Sequence, residues 1–299
     1  MCGIVGLFLK NASLEPELGT LLTAMLGVMS DRGPDSAGFA LYSGSDSSRI
    51  KLTVRLTDQV ADISQLVQEI ETAFALPAEI IVRDTHAVLS IPAAAEPEIR
   101  SWIEKTRGDI RIVGEGRRME LYKEVGRPES VARQFGLAQM SGTHAIGHTR
   151  MATESSVTTD GAHPFSTGLD QCLVHNGSLS NHNDVRRKLR HEGLRFETDN
   201  DSEVAAGYLT WRMSEGASLK QALEASLKDL DGFYTFVVGT ENGFAVLRDP
   251  IACKPAVMAE TRDYVAFGSE YRALAGLPDI ESAHVFEPEP ATVYAWERH

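Results

Sequence analysis

The order of elements in this 299-residue sequence predicts an α+β fold. The expected architecture is a four-layer αββα sandwich of two antiparallel sheets, with a ferredoxin-like βαββαβ subdomain inserted between its halves. Three observations carry that expectation. Strand-like runs lie at both ends of the chain with helical patterns between them, so two sheets can pack face to face under helices on the outside. Residues 49–125 follow a β-α-β-β-α-β order of their own, the split βαβ arrangement. At 42% hydrophobic and 24% charged residues, the chain has material for a core and falls outside the disordered class.

Cys2 to Phe8 is a short apolar run with two glycines and reads as a buried strand. From Glu17 to Met29, the residues Leu18, Leu21, Leu22, Met25, Leu26 and Met29 recur at helical spacing. That helix stops at the breaker string Ser30-Asp31-Arg32-Gly33-Pro34-Asp35. Ser36 to Tyr42 is strand-like again, and the Gly/Ser/Asp stretch Ser43 to Ser48 marks a boundary. The insert opens with Ile50, Leu52, Val54 and Leu56 in alternation, then a helix carrying Ile63, Leu66, Val67, Ile70 and Phe74. Strands at Glu79 to Arg83 and His86 to Ile91 lead to a helix with Ile99, Trp102 and Ile103. Strands at Ile110 to Val113 and Met119 to Val125 close it.

From Gly142 the larger unit resumes with strands at His144 to Thr149 and Gln171 to His175, followed by helices at Glu203 to Ser214 and Leu219 to Leu230. Phe233 to Val238, Gly243 to Leu247, Ala256 to Ala259, Tyr264 to Gly268 and Thr292 to Trp296 read as an antiparallel meander. The expected organisation is one domain of residues 2–44 and 140–299, interrupted by the subdomain at 49–125.

A net charge of -13 sets the chain against the phosphate backbone, so nucleic acid is not expected as a partner. The cluster Arg186-Arg187-Lys188 with Arg190 falls on an expected helix and reads as a solvated face. No apolar run reaches the ~18–20 residues of a membrane span, and no signal-peptide pattern opens the chain. A cytoplasmic protein with no membrane partner is expected. Three cysteines, Cys2, Cys172 and Cys253, are too few for a disulfide framework. Cys172 and Cys253 sit in strand-like runs and read as small buried hydrophobes. The spacings of His144, His148, His163 and His175 match no common metal site, and no metal is expected.

Cys2 is different. Removal of the initiator methionine would leave a thiol and an α-amino group on one residue, nucleophile and base together, with the amine titrating near ~7.7–8. The run Gly3-Ile4-Val5-Gly6 would fix that terminus in a strand where a tail normally frays. Beyond it stand Asp31-Arg32-Gly33-Pro34-Asp35, Gly147-His148-Thr149-Arg150-Met151-Ala152-Thr153 and His163-Pro164-Phe165. His175-Asn176-Gly177-Ser178-Leu179-Ser180-Asn181 and Thr198-Asp199-Asn200-Asp201-Ser202-Glu203 follow. In this order the six strings resemble the motifs of the class II, N-terminal-nucleophile glutamine amidotransferases, the last with two residues inserted.

The resemblance covers about 1–44 and 140–299, and it implies a site as well as a fold. Cys2 would attack the γ-amide of L-glutamine, and the Asn176 side chain with the Gly177 N–H would form the oxyanion hole. Arg150 suits the α-carboxylate through its planar fork. Asp201 suits the α-amine, with Asp199 a competitor and an N-cap role the plain alternative. Arg32 and Gly33 would close beside the nucleophile, and Thr153 would help to fix the head group. The products are glutamate and ammonia.

Two departures stand out, the insert and Met151, which replaces a commonly aromatic residue. Stand-alone chains of this kind resemble the glutaminase subunit of N-methylglutamate synthase and glutamate-synthase-like systems. That implies no cofactor on this chain, a separate flavin-containing synthase subunit as ammonia acceptor, and a separate β-helical subunit. Two other functions fit the same residues: a glutamine-sensing subunit that hydrolyses nothing, and an N-terminal-nucleophile hydrolase of a γ-glutamyl amide.

Overall fold

The computed structural model describes residues 2–44, 46–57, 63–152 and 157–298. The chain runs β1 (Gly3–Leu9), α1 (Leu18–Val28), β2 (Ser36–Tyr42), β3 (Arg49–Leu56), α2 (Leu66–Phe74), β4 (Glu79–Arg83) and β5 (His86–Pro92). It continues through α3 (Glu96–Thr106), β6 (Ile110–Gly116), β7 (Met119–Val125), α4 (Pro128–Gln134), β8 (His144–Arg150), β9 (Phe165–Gly168) and β10 (Gln171–Leu179). The remaining elements are α5 (His182–His191), α6 (Asp201–Ser214), α7 (Leu219–Asp229), β11 (Gly232–Thr240), β12 (Gly243–Arg248), β13 (Val257–Glu260), β14 (Tyr264–Gly268), β15 (His284–Phe286) and β16 (Val293–Glu297). The expected mixture of helices and antiparallel sheets is present.

The strands form a seven-stranded sheet in the order β15-β13-β14-β1-β8-β2-β7, a five-stranded sheet β16-β12-β11-β10-β9 and a four-stranded sheet β4-β5-β3-β6. Every residue of β1, β2 and β8 is buried, because these central strands are covered on both faces. Alternation divides β1 between two cores. Ile4 and Phe8 point at the five-stranded sheet and pack with Val174, Val237, Phe244 and Val246. Val5, Leu7 and Leu9 point the other way, onto Leu18, Leu22, Met25 and Leu26 of α1 and Val131 and Ala132 of α4. The outer face of the five-stranded sheet carries Leu173, Tyr234, Phe236 and Val238 against α6 and α7. The four-stranded sheet has its own core with α2 and α3, centred on Leu52, Val54, Ile70, Leu89, Ile99 and Ile103.

Four expectations change. Residues 119–125, read as the last strand of the insert, instead form β7 and pair with β2 at the edge of the seven-stranded sheet. Both faces of β7 are apolar in part: Met119 and Leu121 enter the core between the sheets, and Tyr122 enters the α1 side. Asp170 fixes the crossing, accepting the N–H groups of Arg117 (2.8 Å), Arg118 (2.9 Å) and Met119 (2.9 Å). The four-stranded sheet thus ends at β6.

The C-terminal strands are not one meander. β11, β12 and β16 belong to the five-stranded sheet, whereas β13, β14 and β15 belong to the seven-stranded one. The switch occurs after Arg248, where buried Asp249 accepts from Tyr234 N at 3.1 Å and Ile251 N at 2.9 Å and turns the chain away. Cys253 lies exposed in that connection, not in a buried strand, while Cys172 is buried and its thiol pushed up to about 12 by burial. Arg186, expected on a solvated face, is buried, with Nη1 on Asn183 Oδ1 and Nη2 on Asn200 O at 3.1 Å. No helix among the described residues is long and apolar enough to cross a membrane.

Candidate active site

Pairing alone brings the first candidate residues together. Gly3 lies opposite Thr149 in the β1–β8 ladder, and Ser36 lies opposite Arg150 in the β2–β8 ladder. Cys2, the Arg32–Asp35 loop and Arg150 therefore share one end of the seven-stranded sheet. The C-terminal half of β10 reaches the same place from the facing sheet, and Asn176 Nδ2 donates to Cys2 O at 3.2 Å.

These elements border a cleft of about 610 Å³ whose walls include Cys2, Arg150, Asn176, Gly177 and Asp201. The Cys2 thiol is half-buried there, 3.9 Å from Met151 O. A second donor, Arg32 Nε, reaches Cys2 O at 3.1 Å, so the Cys2 carbonyl is held from two sides. The remaining face of the Arg32 guanidinium is ion-paired with Glu270 through Nη1, and this pairing holds the Glu270 carboxyl below its ordinary range.

Neither Arg32 nor Gly33 borders the cleft. Their loop lies beside Cys2, which Arg32 Nε contacts through its carbonyl. A Cβ on Gly33 would stand 2.4 Å from Thr149 C and 2.5 Å from Arg150 N, so only glycine lets this loop lie on β8. Asp35 fixes the turn after β8 by accepting from Ala152 N at 2.8 Å. Thr153 lies outside the described residues.

Gly177 continues β10 with a φ of 153°, where a Cβ would meet Phe233 O at 2.0 Å. A side chain at this position is incompatible with the β10–β11 ladder. The Asn-Gly pair is therefore strand, not a hairpin turn.

Asp201 is the first residue of α6. The cap is Asn200, whose side chain accepts from Ser202 N. Asp201 Oδ2 accepts from Leu179 N at 2.9 Å, Ser202 Oγ donates to Oδ1 at 3.3 Å, and His175 Nδ1 stands 3.7 Å from Oδ1. Burial pushes this carboxyl upward, but His175, the Leu179 N–H and Ser202 together outweigh burial and hold it at about 2. It is an anion at neutral pH. Asp199 differs: its side chain is fully exposed at the rim, 4.0 Å from Arg186 Nη1.

Three of the four candidate histidines gather beneath the cleft. His148 Nε2 meets His175 O at 3.0 Å, and the His148 and His163 rings lie 4.0 Å apart. Burial pushes His148 down to about 3 and His163 well below its ordinary value, so both are neutral. His144 is elsewhere, stacked on Tyr42 and bonded to Thr240 O at 2.8 Å. Among the described residues no group of three or more His, Cys, Asp and Glu side chains is placed to hold a metal ion.

The cleft also contains residues that sequence reasoning passed over. Lys254 reaches it from the β12–β13 connection, with Nζ 4.9 Å from the Phe233 ring centroid, and His182 borders it from the start of α5. The prolines at 250 and 255 were the only sign that this connection is constrained. Glu270 gave no sign, because its partner Arg32 is 238 residues away. Thiol, guanidinium, carboxylate and amide donor thus face one cavity. That combination suits an amino-acid zwitterion with an electrophilic carbonyl.

Residues 148–276 match the family model described as "Glutamine amidotransferase domain". The chain is 60% identical over 297 residues to the "Glutamine amidotransferase-like protein GlxB" of Rhizobium meliloti (strain 1021), covering 99% of this chain and 98% of that protein. Two solved structures share the fold at 20% identity, each alignment covering 99% of this chain. They are the glutamine phosphoribosylpyrophosphate amidotransferase of B. subtilis complexed with ADP and GMP (TM-score 0.61) and the allosteric regulatory enzyme of purine biosynthesis (TM-score 0.64). The chain spans 49% and 47% of those two chains.

Proposed function

The chain belongs to the glutamine amidotransferase family, and from that premise we propose that it is a class II member that hydrolyses L-glutamine to glutamate and ammonia through a Cys2 thioester. The observation that carries this reading is the convergence of Cys2, Arg150, Asn176 and Asp201 on one cleft. With Met1 removed, the α-amino group takes the thiol proton, directly or through a water. The thiolate attacks the γ-carbonyl carbon, and the oxyanion forms between the Asn176 amide and the Gly177 N–H, each donor worth ~3 kcal/mol or more of transition-state stabilisation. Collapse breaks the C–N bond as the α-ammonium returns its proton to the leaving ammonia. Water then cleaves the thioester.

Arg150 binds the α-carboxylate and Asp201, held ionised, binds the α-ammonium. Thr153 completes the head-group contacts. Arg32 holds the peptide of Cys2 from behind, and Gly33 lets that loop lie on β8. Ammonia passes to a separate flavin-containing synthase subunit, with a β-helical subunit beside it. This rests on the likeness to glutaminase subunits of N-methylglutamate synthase and glutamate-synthase-like systems. The same reading takes the helix and sheet cores as the four layers of an αββα sandwich, interrupted by a ferredoxin-like insert that begins at residue 49.

The test is intact mass before and after incubation with a glutamine analogue bearing a γ-electrophile, together with ammonia release by Cys2→Ala. Loss of one methionine, a single adduct on Cys2, and turnover lowered by about a thousandfold or more in Cys2→Ala are expected. Retained turnover in that variant would overturn the proposal.

A further inference from the structure

The two walls of the cleft are tied to the insert by a pair of arginines. Arg55 on β3 and Arg111 on β6 are directly opposite one another in the β3–β6 ladder. Like charges in that relation repel across a sheet. Neither partner comes from the insert: Arg55 Nη2 pairs with Asp160 Oδ1 at 2.5 Å, and Arg111 Nη1 pairs with Glu197 Oε2 at 2.5 Å. Asp160 lies in the segment that presents Thr158, Gly161 and His163 to the cleft. Glu197 opens the segment that presents Thr198, Asn200 and Asp201.

Both segments are built to transmit that hold. Lys123 Nζ donates to Asp160 O at 3.1 Å and Ala162 O at 3.0 Å, and Glu124 links Thr159 to Thr85 of the insert. On the other side, Glu203 accepts from Glu197 N and Thr198 N, each at 2.8 Å, and so joins Glu197 to the first turn of α6. The face of β3 turned away from its own core carries two further ties, Lys51 to Glu120 at 2.8 Å and Thr53 Oγ1 to Leu121 N at 3.2 Å. Lys51, Thr53 and Arg55 alternate along one side of that strand.

We propose that the inserted subdomain is a working part of the glutamine cleft, with Arg55 and Arg111 as positioning residues that hold its two walls, through Asp160 and Glu197, at the spacing an amino-acid head requires. This rests on the cleft being the glutamine site. Because Arg55 and Arg111 occupy opposite positions on one strand pair, the two walls are referred to the same piece of the four-stranded sheet.

The test uses the full chain with Arg55→Asp, Asp160→Arg and the double exchange R55D/D160R, together with the isosteric Asp160→Asn and Glu197→Gln, which disturb no packing. Glutamine KM and kcat are read from ammonia release, and glutamine Kd from calorimetry on a Cys2→Ala background. Each charge reversal should raise KM and Kd about five- to tenfold, the isosteric variants about two- to threefold, with kcat within about twofold throughout. The double exchange should recover most of the loss. Unchanged KM and Kd in Asp160→Asn and Arg55→Asp, or a loss in the single variants that the double exchange does not relieve, would overturn the proposal. If the unsubstituted chain releases no ammonia and its Cys2→Ala form binds no glutamine, the glutamine reading itself has failed, visibly before any insert variant is compared, and this proposal falls with it.

Discussion

Asp201 performs two jobs with one carboxylate, and they can be separated. Oδ2 accepts the Leu179 N–H and so ties α6 to the end of β10, while the charge faces the cleft. Asp201→Asn keeps an acceptor for Leu179 and removes the charge. The expected outcome is a glutamine KM raised by about a hundredfold, from the loss of a charge-assisted contact, with a melting temperature close to that of the parent. Calorimetric binding on the Cys2→Ala background and a thermal melt check the two halves. The gathering of Cys2, Arg150, Asn176 and Asp201 around one cleft was legible because each stands in a short string whose neighbours constrain it. Glu270 was not, since nothing within its own segment says that a guanidinium will arrive from the loop after α1. The side of Cys2 that the Arg32–Asp35 loop takes was hidden for the same reason: a loop string fixes proximity to Cys2 without saying more.

At the scale of elements, the site depends on how closely the Arg32–Asp35 loop lies on β8. Gly33→Ala would put a methyl group 2.4 Å from Thr149 C, and backbone cannot yield there as a flexible side chain can. The loop must lift, taking Arg32 Nε away from Cys2 O. A kcat lowered about tenfold or more, with a melting temperature lowered by several degrees, is expected from the strain and the lost contact. Steady-state kinetics and calorimetry measure both. Element type was mostly legible in the sequence, because periods of two and 3.6 are local properties. Sheet membership was not. Met119 to Val125 alternates like any strand, and Asp170, 51 to 53 residues beyond the Met119 and Arg117 amides it accepts, fixes its turn out of the four-stranded sheet and onto β2. The split of the C-terminal strands likewise depends on Asp249, a buried charged residue whose partners Tyr234 N and Ile251 N are backbone groups with no mark in the sequence.

The whole molecule has an acid-sensitive interior. His86, His144 and His148 are pushed by burial down to about 3, and His163 falls well below its ordinary value. Between about pH 3 and 6.5 the unfolded chain therefore binds more protons at these positions than the folded one. The stability they allow is present above pH 6.5 and declines as the pH falls below it, by roughly 1 kcal/mol at pH 5.5 for each of His86, His144 and His148, with His163 adding in the same direction. The urea midpoint, followed by tryptophan fluorescence, should drop steeply from pH 6.5 to 5. A midpoint flat across that interval would contradict the neutral buried histidines. Asp201, held at about 2, contributes in a separate and more acidic window, as stability lost when the pH falls from about 5 toward 1.

The position of β1 bears on how such a molecule comes into being. Val5 is flanked by Gly147 on one side and Gly268 on the other. During translation that apolar strand stays without lateral neighbours until β8 emerges, and keeps one open edge until β14 follows. Contacts of such long separation form slowly and leave hydrogen-bonding edges available to other chains meanwhile. A ribosome stalled before residue 268 would carry the thiol of Cys2 on an unfinished sheet. Assembly of the cleft around Cys2 is thereby tied to synthesis through β14, and termination before that point leaves an aggregation hazard in place of a closed sheet.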